Sequence, residues 1–493
     1  MFYIGIDSGT QSTKAIVLDL ESGAVLAQAS RAYELIGGLP TGHLEQHPAD
    51  WVAALDGAVR ECLAALGDRR SLVRGIGVSG QQHGLVVLDG NDAVIRPAKL
   101  WCDTSTTDQC AQYAAAFGGQ EGLIRQSGNA MLPGYTIPKL LWLKQHEPDH
   151  FAKTRSILLP HDYLNFWLTG VKGMEYGDAS GMGILKIEER VWDNSLIDFI
   201  DPRVREMLPE LASSNRVLGT LRPGLAAGWG LSPEVIVSAG GGDNMMGAIG
   251  TGNIASGIIT ASFGTSGTLY GCAGSPVIDP RGEVAAFCDS TDRWLPLVCT
   301  MNVTVVTEQV RDWFGWDLAE LERQVASVPV GAGGLSFLPY LNGERTPNLP
   351  GGSGVIHGLT PASSPAHLAR AAMEGATLGL AYGLRRFAEL GLDASEIRIT
   401  GGGSKSRVWR QISADVFGVP VVGLATAEGA GLGAAIQAAH ADGQGTYETL
   451  CGRYVALDET TRAEPEAGAT ALYREQLDRQ MALTHHLAAG AYL

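Results

Sequence analysis

Two distant segments of the chain share one pattern, which limits the folds open to it. GIDSGTQSTKAIVLD lies near the start and ITASFGTSGTLYG lies in the middle. Each segment predicts a strand, a tight turn at a Gly-Thr pair and a second strand. The two pairs, Gly9-Thr10 and Gly264-Thr265, lie about half the chain apart. We therefore expect two related domains that each open with the same hairpin.

Helical and strand patterns alternate around these hairpins. WVAALDGAVRECLAAL, at residues 51–66, has apolar residues at helical spacing, and VRGIGVSG, at residues 73–80, alternates like a strand. Such mixing predicts an α/β fold in which helices cover sheets. The glycine run at residues 240–242 marks the predicted boundary, which gives an N-terminal domain of residues 1–242 and a C-terminal domain of residues 243–493.

Size and charge exclude several classes of function. With 493 residues the chain can form at least two cores, so a single small binding module is excluded. Its 36 basic and 52 acidic residues give a net charge of −16, which argues against a nucleic-acid partner and against an anionic membrane surface. The 7 cysteines form no CxxC pair, and MFYIGID enters a strand pattern without a leader. We expect a soluble cytoplasmic protein.

The two Gly-Thr turns are candidate phosphate sites. Backbone N–H groups and hydroxyls that point into one concavity suit phosphate oxygens, whereas Asp7 would need a cation in between. The alternative is an ordinary hairpin turn that uses glycine for a positive φ. A Walker A loop is absent, and the glycines of GIGVSG lie inside a strand, which argues against a dinucleotide site. The predicted phosphate-binding residues are Gly9, Thr10, Gln11, Ser12, Lys14, Gly264, Thr265 and Ser266.

Polar residues at the end of a strand are candidates for binding a neutral polyol. GQQHG, at residues 80–84, places Gln82 and His83 where ligands bind in open α/β sheets. LWCDTSTTDQC adds Trp101 as an aromatic platform and Asp103 as an acceptor. The alternatives are a solvated polar loop for His83 and a place in the core for Trp101.

The run TGGGSKSRVWRQ is a candidate adenosine site. Gly401, Gly402 and Gly403 have no Cβ, so a flat ligand could lie close to the backbone beside a helix. We predict Ser404 as the N-cap of that helix and Gly418 as its end. The alternative is a packing turn between a strand and a helix.

Asp243 is a lone acid in GGGDNMMGAIG. An N-cap is the most common role for an acid in this position. It lies between the two hairpins in sequence and at the predicted domain boundary, so it could instead face an acceptor and take a hydroxyl proton.

These motifs, together with YLNGERTP, resemble the FGGY carbohydrate kinases from residue 3 to about residue 440. The resemblance implies an actin-like, ribonuclease H-like ATPase fold of two domains with ATP and sugar in the cleft between them. It implies that Asp243 is the proton acceptor and that Asp7 is a catalytic acid close to Mg²⁺ and the phosphates, with both carboxylates near the metal. Gln82, His83 and Asn244 would bind sugar. The glycines at 401–403 and Ser404 would hold the adenosine.

The resemblance, through GQQHG, points to ATP-dependent phosphorylation of D-xylulose at O5. Ribulose, gluconate or glycerol as the acceptor is the nearer alternative, and a non-catalytic actin-like nucleotide switch is the more distant one. A switch needs the nucleotide hairpins but no base aimed at an acceptor, so Asp243 favours the enzyme. A homodimer is left open.

Overall fold

The computed structural model describes residues 1–426 and 429–493. The strands are β1 (Phe2–Ser8), β2 (Ser12–Asp19), β3 (Val25–Ala32), β4 (Glu45–Gln46), β5 (Val73–Gly80), β6 (Val86–Leu88), β7 (Ala98–Lys99), β8 (Ser156–Leu158), β9 (Met174–Glu175), β10 (Leu185–Lys186), β11 (Val191–Trp192), β12 (Leu211–Ala212), β13 (Val217–Thr220), β14 (Ile236–Ser238), β15 (Gly241–Gly242), β16 (Ile258–Phe263), β17 (Gly267–Gly271), β18 (Leu297–Thr300), β19 (Ser336–Pro339), β20 (Gly354–His357), β21 (Glu396–Thr400), β22 (Val421–Leu424) and β23 (Leu457–Ala463).

The helices alternate with these strands along the chain. They are α1 (Pro48–Leu66), α2 (Thr107–Ala116), α3 (Gly119–Ser127), α4 (Thr136–His146), α5 (Pro148–Lys153), α6 (Pro160–Thr169), α7 (Tyr176–Ala179), α8 (Asn194–Asp198), α9 (Val204–Met207), α10 (Pro223–Trp229), α11 (Asp243–Gly250), α12 (Thr304–Phe314), α13 (Leu318–Ala326), α14 (Pro365–Glu389), α15 (Arg407–Phe417), α16 (Gly429–Ala441), α17 (Tyr447–Tyr454) and α18 (Ala467–Ala489). No helix of the described ranges has the length and apolarity needed to cross a bilayer.

Two large sheets have the same topology. The N-terminal sheet has the order β13-β14-β5-β1-β2-β3, and the C-terminal sheet has the order β18-β17-β16-β21-β22-β23. In each sheet the first strand pairs antiparallel with the second across the hairpin and parallel with a later strand, β5 or β21. The prediction of an α/β fold built on two equivalent hairpins is confirmed.

Local predictions hold except at one helix start. The segment at 51–66 lies in α1 and the segment at 73–80 is β5, as the spacing predicts. The predicted N-cap Ser404 is wrong, because residues Gly402–Lys405 form a 3₁₀ turn and α15 begins after it. Ser406 is the N-cap, since its hydroxyl accepts a hydrogen bond from Trp409 N at 3.0 Å. Gly418 ends α15 in the left-handed region, as predicted.

Helix α16 lies directly on the backbone of the N-terminal sheet. A Cβ at Gly5 of β1 would be 1.8 Å from the Gly431 carbonyl oxygen, and a Cβ at Gly77 of β5 would be 2.0 Å from the Ala434 oxygen. Only glycine permits so close an approach. A helix from the C-terminal part of the sequence thus covers the N-terminal sheet, and the boundary between residues 242 and 243 stays a prediction.

We expect Gly77→Ala to destabilise the protein, because the added methyl group overlaps the backbone of α16. Overpacking of this kind costs about 1–3 kcal/mol of unfolding free energy, and a rigid backbone neighbour places the cost at the upper end. Urea unfolding measures the change. The control is Gly452→Ala in α17, where a Cβ meets nothing within 4 Å. Equal stability of Gly77→Ala and wild type would contradict the packing described above.

Candidate active site

The first predicted phosphate turn is held rigidly by side chains around it. Gly9 N donates to Ser12 O at 3.0 Å, which closes the turn between β1 and β2. Tyr33 donates its hydroxyl to Gly9 O at 2.6 Å, and Gln46 Nε2 donates to Thr10 O at 2.6 Å. Lys14 lies on β2 directly opposite Asp7, and Gln11 is exposed. The carbonyl oxygens of Gly9 and Thr10 therefore face the protein and are fixed by hydrogen bonds from Tyr33 and Gln46.

The second turn is fixed by the start of a helix. Gly264 O accepts from Thr304 N, and Thr265 O accepts from Val303 N, each at 3.0 Å. Neither Gly9 nor Gly264 has a positive φ, so backbone geometry does not require glycine at either turn. A Cβ at Gly9 would meet only Ser12 O at 3.8 Å, and a Cβ at Gly264 only Ser266 O at 3.3 Å. Because Gly9 and Gly264 have no Cβ, there is space beside each turn for a ligand group.

The three-glycine run lies beside the second turn. Gly401 has φ 84°, and a Cβ there would be 2.6 Å from the oxygen of Phe263, the last residue of β16. Gly403 faces the Phe263 ring, whereas a Cβ at Gly402 would meet nothing within 4 Å. Ser404 donates its hydroxyl to Gly401 O at 2.7 Å, which holds the run in shape. The predicted adenosine and phosphate segments of the C-terminal half are thus neighbours.

Asp243 is placed next to Asp7 by strand pairing. The short strand β15 pairs parallel with the end of β5, with Gly241 opposite Ser79, while Asp7 of β1 lies opposite Ser79 on the other side. Ser79 donates its hydroxyl to Asp7 Oδ1 at 3.1 Å. Asp243 follows β15 as the first residue of α11, so Gly242 is the N-cap position and Asp243 is not.

The environment of Asp243 favours its protonated form. Burial, the charge of Asp7 and the charge of Asp178 raise the pKa of Asp243 to about 7, although the backbone N–H of Asn244 donates to its Oδ1 at 2.8 Å and opposes the shift. A carboxyl group with a pKa near neutrality can accept and release a proton at neutral pH.

Gln82 and Asn244 form a pair beside Asp243. Asn244 Nδ2 donates to Gln82 Oε1 at 2.8 Å and lies 3.0 Å from Asp243 Oδ1. Thr268 of β17 donates to Asn244 Oδ1 at 3.4 Å. The Gln82 side chain is buried against Gly242, where a Cβ would be 2.6 Å from Gln82 Cγ. The predicted sugar residues Gln82 and Asn244 are therefore joined to the predicted base.

His83 has an unusual backbone and an aromatic surrounding. Its φ is 63°, in the left-handed region. Its ring centroid lies 5.2 Å from that of Tyr135 and 5.7 Å from that of Phe287. Burial and the positive charges of Lys139 and Arg345 hold its pKa well below the usual range, so the imidazole is neutral. The buried ammonium of Lys139 donates to His83 O at 2.9 Å and stabilises this turn.

Trp101 and Asp103 differ in their surroundings. Trp101 is half-buried, donates its indole N–H to Thr10 Oγ1 at 2.9 Å and has the Arg345 guanidinium 5.9 Å from its ring. Asp103 is fully buried: its Oδ2 accepts from Leu44 N at 2.9 Å and lies 3.1 Å from Lys99 Nζ. Trp101 thus contacts the first turn, whereas Asp103 stabilises the loop that carries Trp101. A sugar contact of Asp103 stays a prediction.

Comparison with known proteins assigns the family. The N-terminal domain model of the FGGY family of carbohydrate kinases matches residues 2–250, and the C-terminal domain model matches residues 260–441. This chain belongs to the FGGY family of carbohydrate kinases. It is 45% identical over 490 residues to a protein of Haemophilus influenzae named xylulose kinase, with 98% of this chain and 99% of the relative covered.

Solved structures of related kinases have the same fold as this chain. A protein of Brucella ovis described as a "xyloylose kinase" is 32% identical, with a TM-score of 0.93 over 99% of this chain and 100% of the other. A gluconate kinase of Lactobacillus acidophilus is 26% identical, with a TM-score of 0.93 over 99% and 98% of the two chains. The chain therefore has the two-domain α/β fold of these kinases.

Several residues around the candidate site of this kinase were not identified from the sequence. Tyr135, Lys139 and Phe287 surround His83 but lie far from it in sequence and in no motif. Arg345 lies in YLNGERTP, a motif that supported the family but gave no role to this residue. Arg345 forms no ion pair with any residue of 1–426 or 429–493. The charge of Arg345 inside this motif was the one sequence feature that could have marked it as a site residue.

A cluster of metal-ligand type near Trp101 is already filled by a lysine. One ligand atom each from His43, Glu45 and Asp103 lies within 4.8 Å of the others. Lys99 Nζ lies 3.1 Å from His43 Nδ1, 3.2 Å from Glu45 Oε1 and 3.1 Å from Asp103 Oδ2. The ammonium stands where a cation would bind, so this cluster is part of the scaffold.

We expect Lys99→Ala to lose about 3–5 kcal/mol of unfolding free energy, because it leaves the buried Asp103 carboxylate without its cation, whereas Glu45 keeps Arg96 at 2.8 Å. Thermal and urea unfolding measure the loss. Added Zn²⁺ should raise the Tm of Lys99→Ala and not that of wild type, since only the variant has space for the ion. The exposed Lys153→Ala is the matched control and should stay within about 0.5 kcal/mol. A stable Lys99→Ala variant would refute the role of the ammonium.

Proposed function

We propose that this kinase transfers the γ-phosphoryl group of ATP to O5 of D-xylulose, with Asp243 as the acceptor of the hydroxyl proton. The observation that carries the proposal is Asp243 itself, a carboxylate whose pKa is raised to about 7 and which lies between residues of both halves of the chain. The likeness to a named xylulose kinase over nearly the whole chain supports D-xylulose as the sugar.

The reaction needs few covalent steps from the protein. The O5 oxygen forms a bond to the γ-phosphorus, the bond from that phosphorus to the β,γ-bridging oxygen breaks, and ADP leaves with the electron pair. The O5 proton passes to Asp243. Positioning and charge stabilisation supply most of the rate in phosphoryl transfer, and the base adds a factor of about 10²–10⁴.

The two turns and the glycine run supply the proposed nucleotide site. Gly9 and Gly264 leave open space at the turn tips, which lets phosphate oxygens approach backbone N–H groups. Gly402 provides a similarly open place for the adenosine. Trp101 joins the sugar side to the first turn through its hydrogen bond to Thr10. The nucleotide roles of Gln11, Ser12, Lys14, Thr265, Ser266 and Ser404 are part of this proposal.

Asp7 and Asp243 fit the role of Mg²⁺ ligands. The charge of Asp7 raises the pKa of Asp243, so the two carboxylates repel one another, and a hard divalent cation with oxygen ligands would offset that repulsion. When bound, Mg²⁺ supplies neutralisation of phosphate charge. We also propose that the protein acts in the cytoplasm, in agreement with its free cysteines.

The side chains proposed to bind the sugar hydroxyls, Gln82, His83 and Asn244, carry no charge, while the charges of Lys139 and Arg345 lie close to His83. His83 is neutral, and its Nδ1 lies against the backbone at Gly181, where a Cβ would be 2.0 Å away, so we assign the contact with a sugar hydroxyl to Nε2. Tyr135 and Phe287 restrict the position of the ring. Neutral hydrogen-bonding groups suit the hydroxyls of a ketose.

For Asp243→Asn we expect kcat to fall by at least about 10², because the amide keeps the size of the side chain but cannot accept the proton. The Asn244 N–H can still donate to the new side-chain oxygen, so the Tm should stay near the wild-type value. Steady-state kinetics and thermal unfolding test both parts. A folded variant with a rate near that of wild type would remove Asp243 from the role of base.

Release of ADP with a panel of sugars tests the substrate. D-xylulose should exceed D-ribulose in kcat/KM by at least about tenfold, with gluconate and glycerol poorer, because a site that pairs with specific hydroxyls leaves buried groups unpaired with the wrong sugar.

The same panel applied to His83→Asn tests the pocket. Asparagine tolerates the positive φ at this position but has no imidazole, so the preference for D-xylulose over D-ribulose should shrink without unfolding. A wild-type preference for another sugar would withdraw D-xylulose and keep the kinase. An equal loss of rate on every sugar would withdraw the role of His83 in selectivity.

A further inference from the structure

A buried charged cluster lies directly behind the candidate site. His161 of α6 has its Nδ1 2.7 Å from Asp178 Oδ2 and its Nε2 3.0 Å from Asp162 Oδ1. All three side chains are at most 1% exposed. The two carboxylates raise the pKa of His161 well above its usual value, so the imidazole is charged between them. None of these residues enters the transfer reaction as described so far.

One carboxylate oxygen of this cluster is buried without a hydrogen bond in the described part of the chain. Asp178 Oδ2 is used by His161, but Asp178 Oδ1 is enclosed and has no hydrogen bond among the residues described. Gln82 Nε2 is likewise enclosed and without a hydrogen bond in the same ranges. Burial raises the pKa of Asp178, and His161 and, to a smaller extent, the Gln82 amide partly offset that rise. Helix α7, which carries Asp178, packs against β15, and a Cβ at Gly242 of β15 would be 2.6 Å from Gln82 Cγ. The packing thus brings a buried donor and a buried acceptor near one another.

The oxygen of the Gln82 amide already accepts a hydrogen bond. Its Oε1 accepts from Asn244 Nδ2 at 2.8 Å, and the same Nδ2 lies 3.0 Å from Asp243 Oδ1. If the amide turned over, Gln82 Nε2 would face the Asn244 NH₂ group and Oε1 would face Asp178. Each new pairing would set like groups against one another and leave them unsatisfied. The position of Asp178 thus selects one of the two orientations of the amide.

We propose that Asp178 is a positioning residue for phosphoryl transfer: it orients the Gln82 amide, which holds Asn244 and so aims Asp243 at the acceptor hydroxyl. The side-chain amide of Gln82 then acts mainly on Asn244, since its nitrogen is enclosed. This inference rests on the proposed role of Asp243 as the base. It goes beyond that role because it assigns a positioning function to Asp178, a residue that does not belong to the reacting groups.

A double-mutant cycle tests the link between Asp178 and Gln82. Asp178→Asn and Gln82→Met should each lower kcat by at least about tenfold, because small misplacements of a catalytic group have large effects on rate. The KM for ATP should stay within about twofold of wild type. The double variant should be no slower than the slower single variant, because both changes break the same link.

Asp162→Asn is the matched control. It removes a carboxylate from the other side of the same histidine, and no contact joins Asp162 to Gln82 in the described residues. Its effect on kcat should multiply with that of Gln82→Met, whatever it does to the Tm. If Asp178→Asn and Gln82→Met multiply as well, Asp178 is merely structural and the proposal is overturned.

Gln82→Glu keeps the test open if Asp178→Asn does not fold. The new side chain retains an oxygen for Asn244 but sets a second oxygen against Asp178, so it should be slower than Gln82→Met. A Gln82→Glu variant with near wild-type kcat would refute the contact. All variants are assayed on a sugar that wild type phosphorylates. A wild type inactive on every sugar of the panel would refute the proposed function, whereas an active wild type with multiplying effects would refute only this inference.

Discussion

The contact between helix α16 and the backbone beneath it holds the two acids of the site in place. The helix lies on β1 and β5 through Gly5 and Gly77, and on α11 through Gly250, where a Cβ would be 1.6 Å from the Gly429 oxygen. Strand β1 ends next to Asp7 and α11 begins with Asp243. One close-packed helix therefore sets the position of both carboxylates. Because backbone meets backbone, there is little side-chain freedom through which the spacing could relax.

The charges around Lys99 and those around Asp243 are balanced in different ways. At Lys99 an ammonium lies among Glu45 and Asp103, so the fold itself compensates the buried acids. Around Asp243 the charges that act are those of Asp7 and Asp178, which are also acids, and the pKa of Asp243 rises. A bound cation or a proton would offset the repulsion between these carboxylates. A phosphoryl-transfer site receives the first with its nucleotide and the second from its acceptor.

Sequence reasoning was most reliable where a motif has its own local geometry. The Gly-Thr turns and the strand at 73–80 came out as predicted, because turn chemistry and strand alternation depend on near neighbours in the chain. The N-cap of α15 was wrong by two residues, since a 3₁₀ turn delays the helix and either serine satisfies the capping rule. At Asp103 the residue type suggested a sugar acceptor; its carboxylate pairs with Lys99, and the sugar contact stays a prediction.

The sequence by itself determined the α/β class, the two equivalent hairpins, the glycine positions and the family, because these depend on periodicity and on motifs that are continuous in the chain. Only the tertiary structure decided which acids meet, that His83 lies between Tyr135 and Phe287, and that α16 crosses to the N-terminal sheet. It also packed helix α7, which carries Asp178, against β15. The physical reason is that burial and charge act through space. The pKa of Asp243 is set by Asp7 and Asp178, which are far from it in the chain and become its neighbours only when the sheets and helices pack.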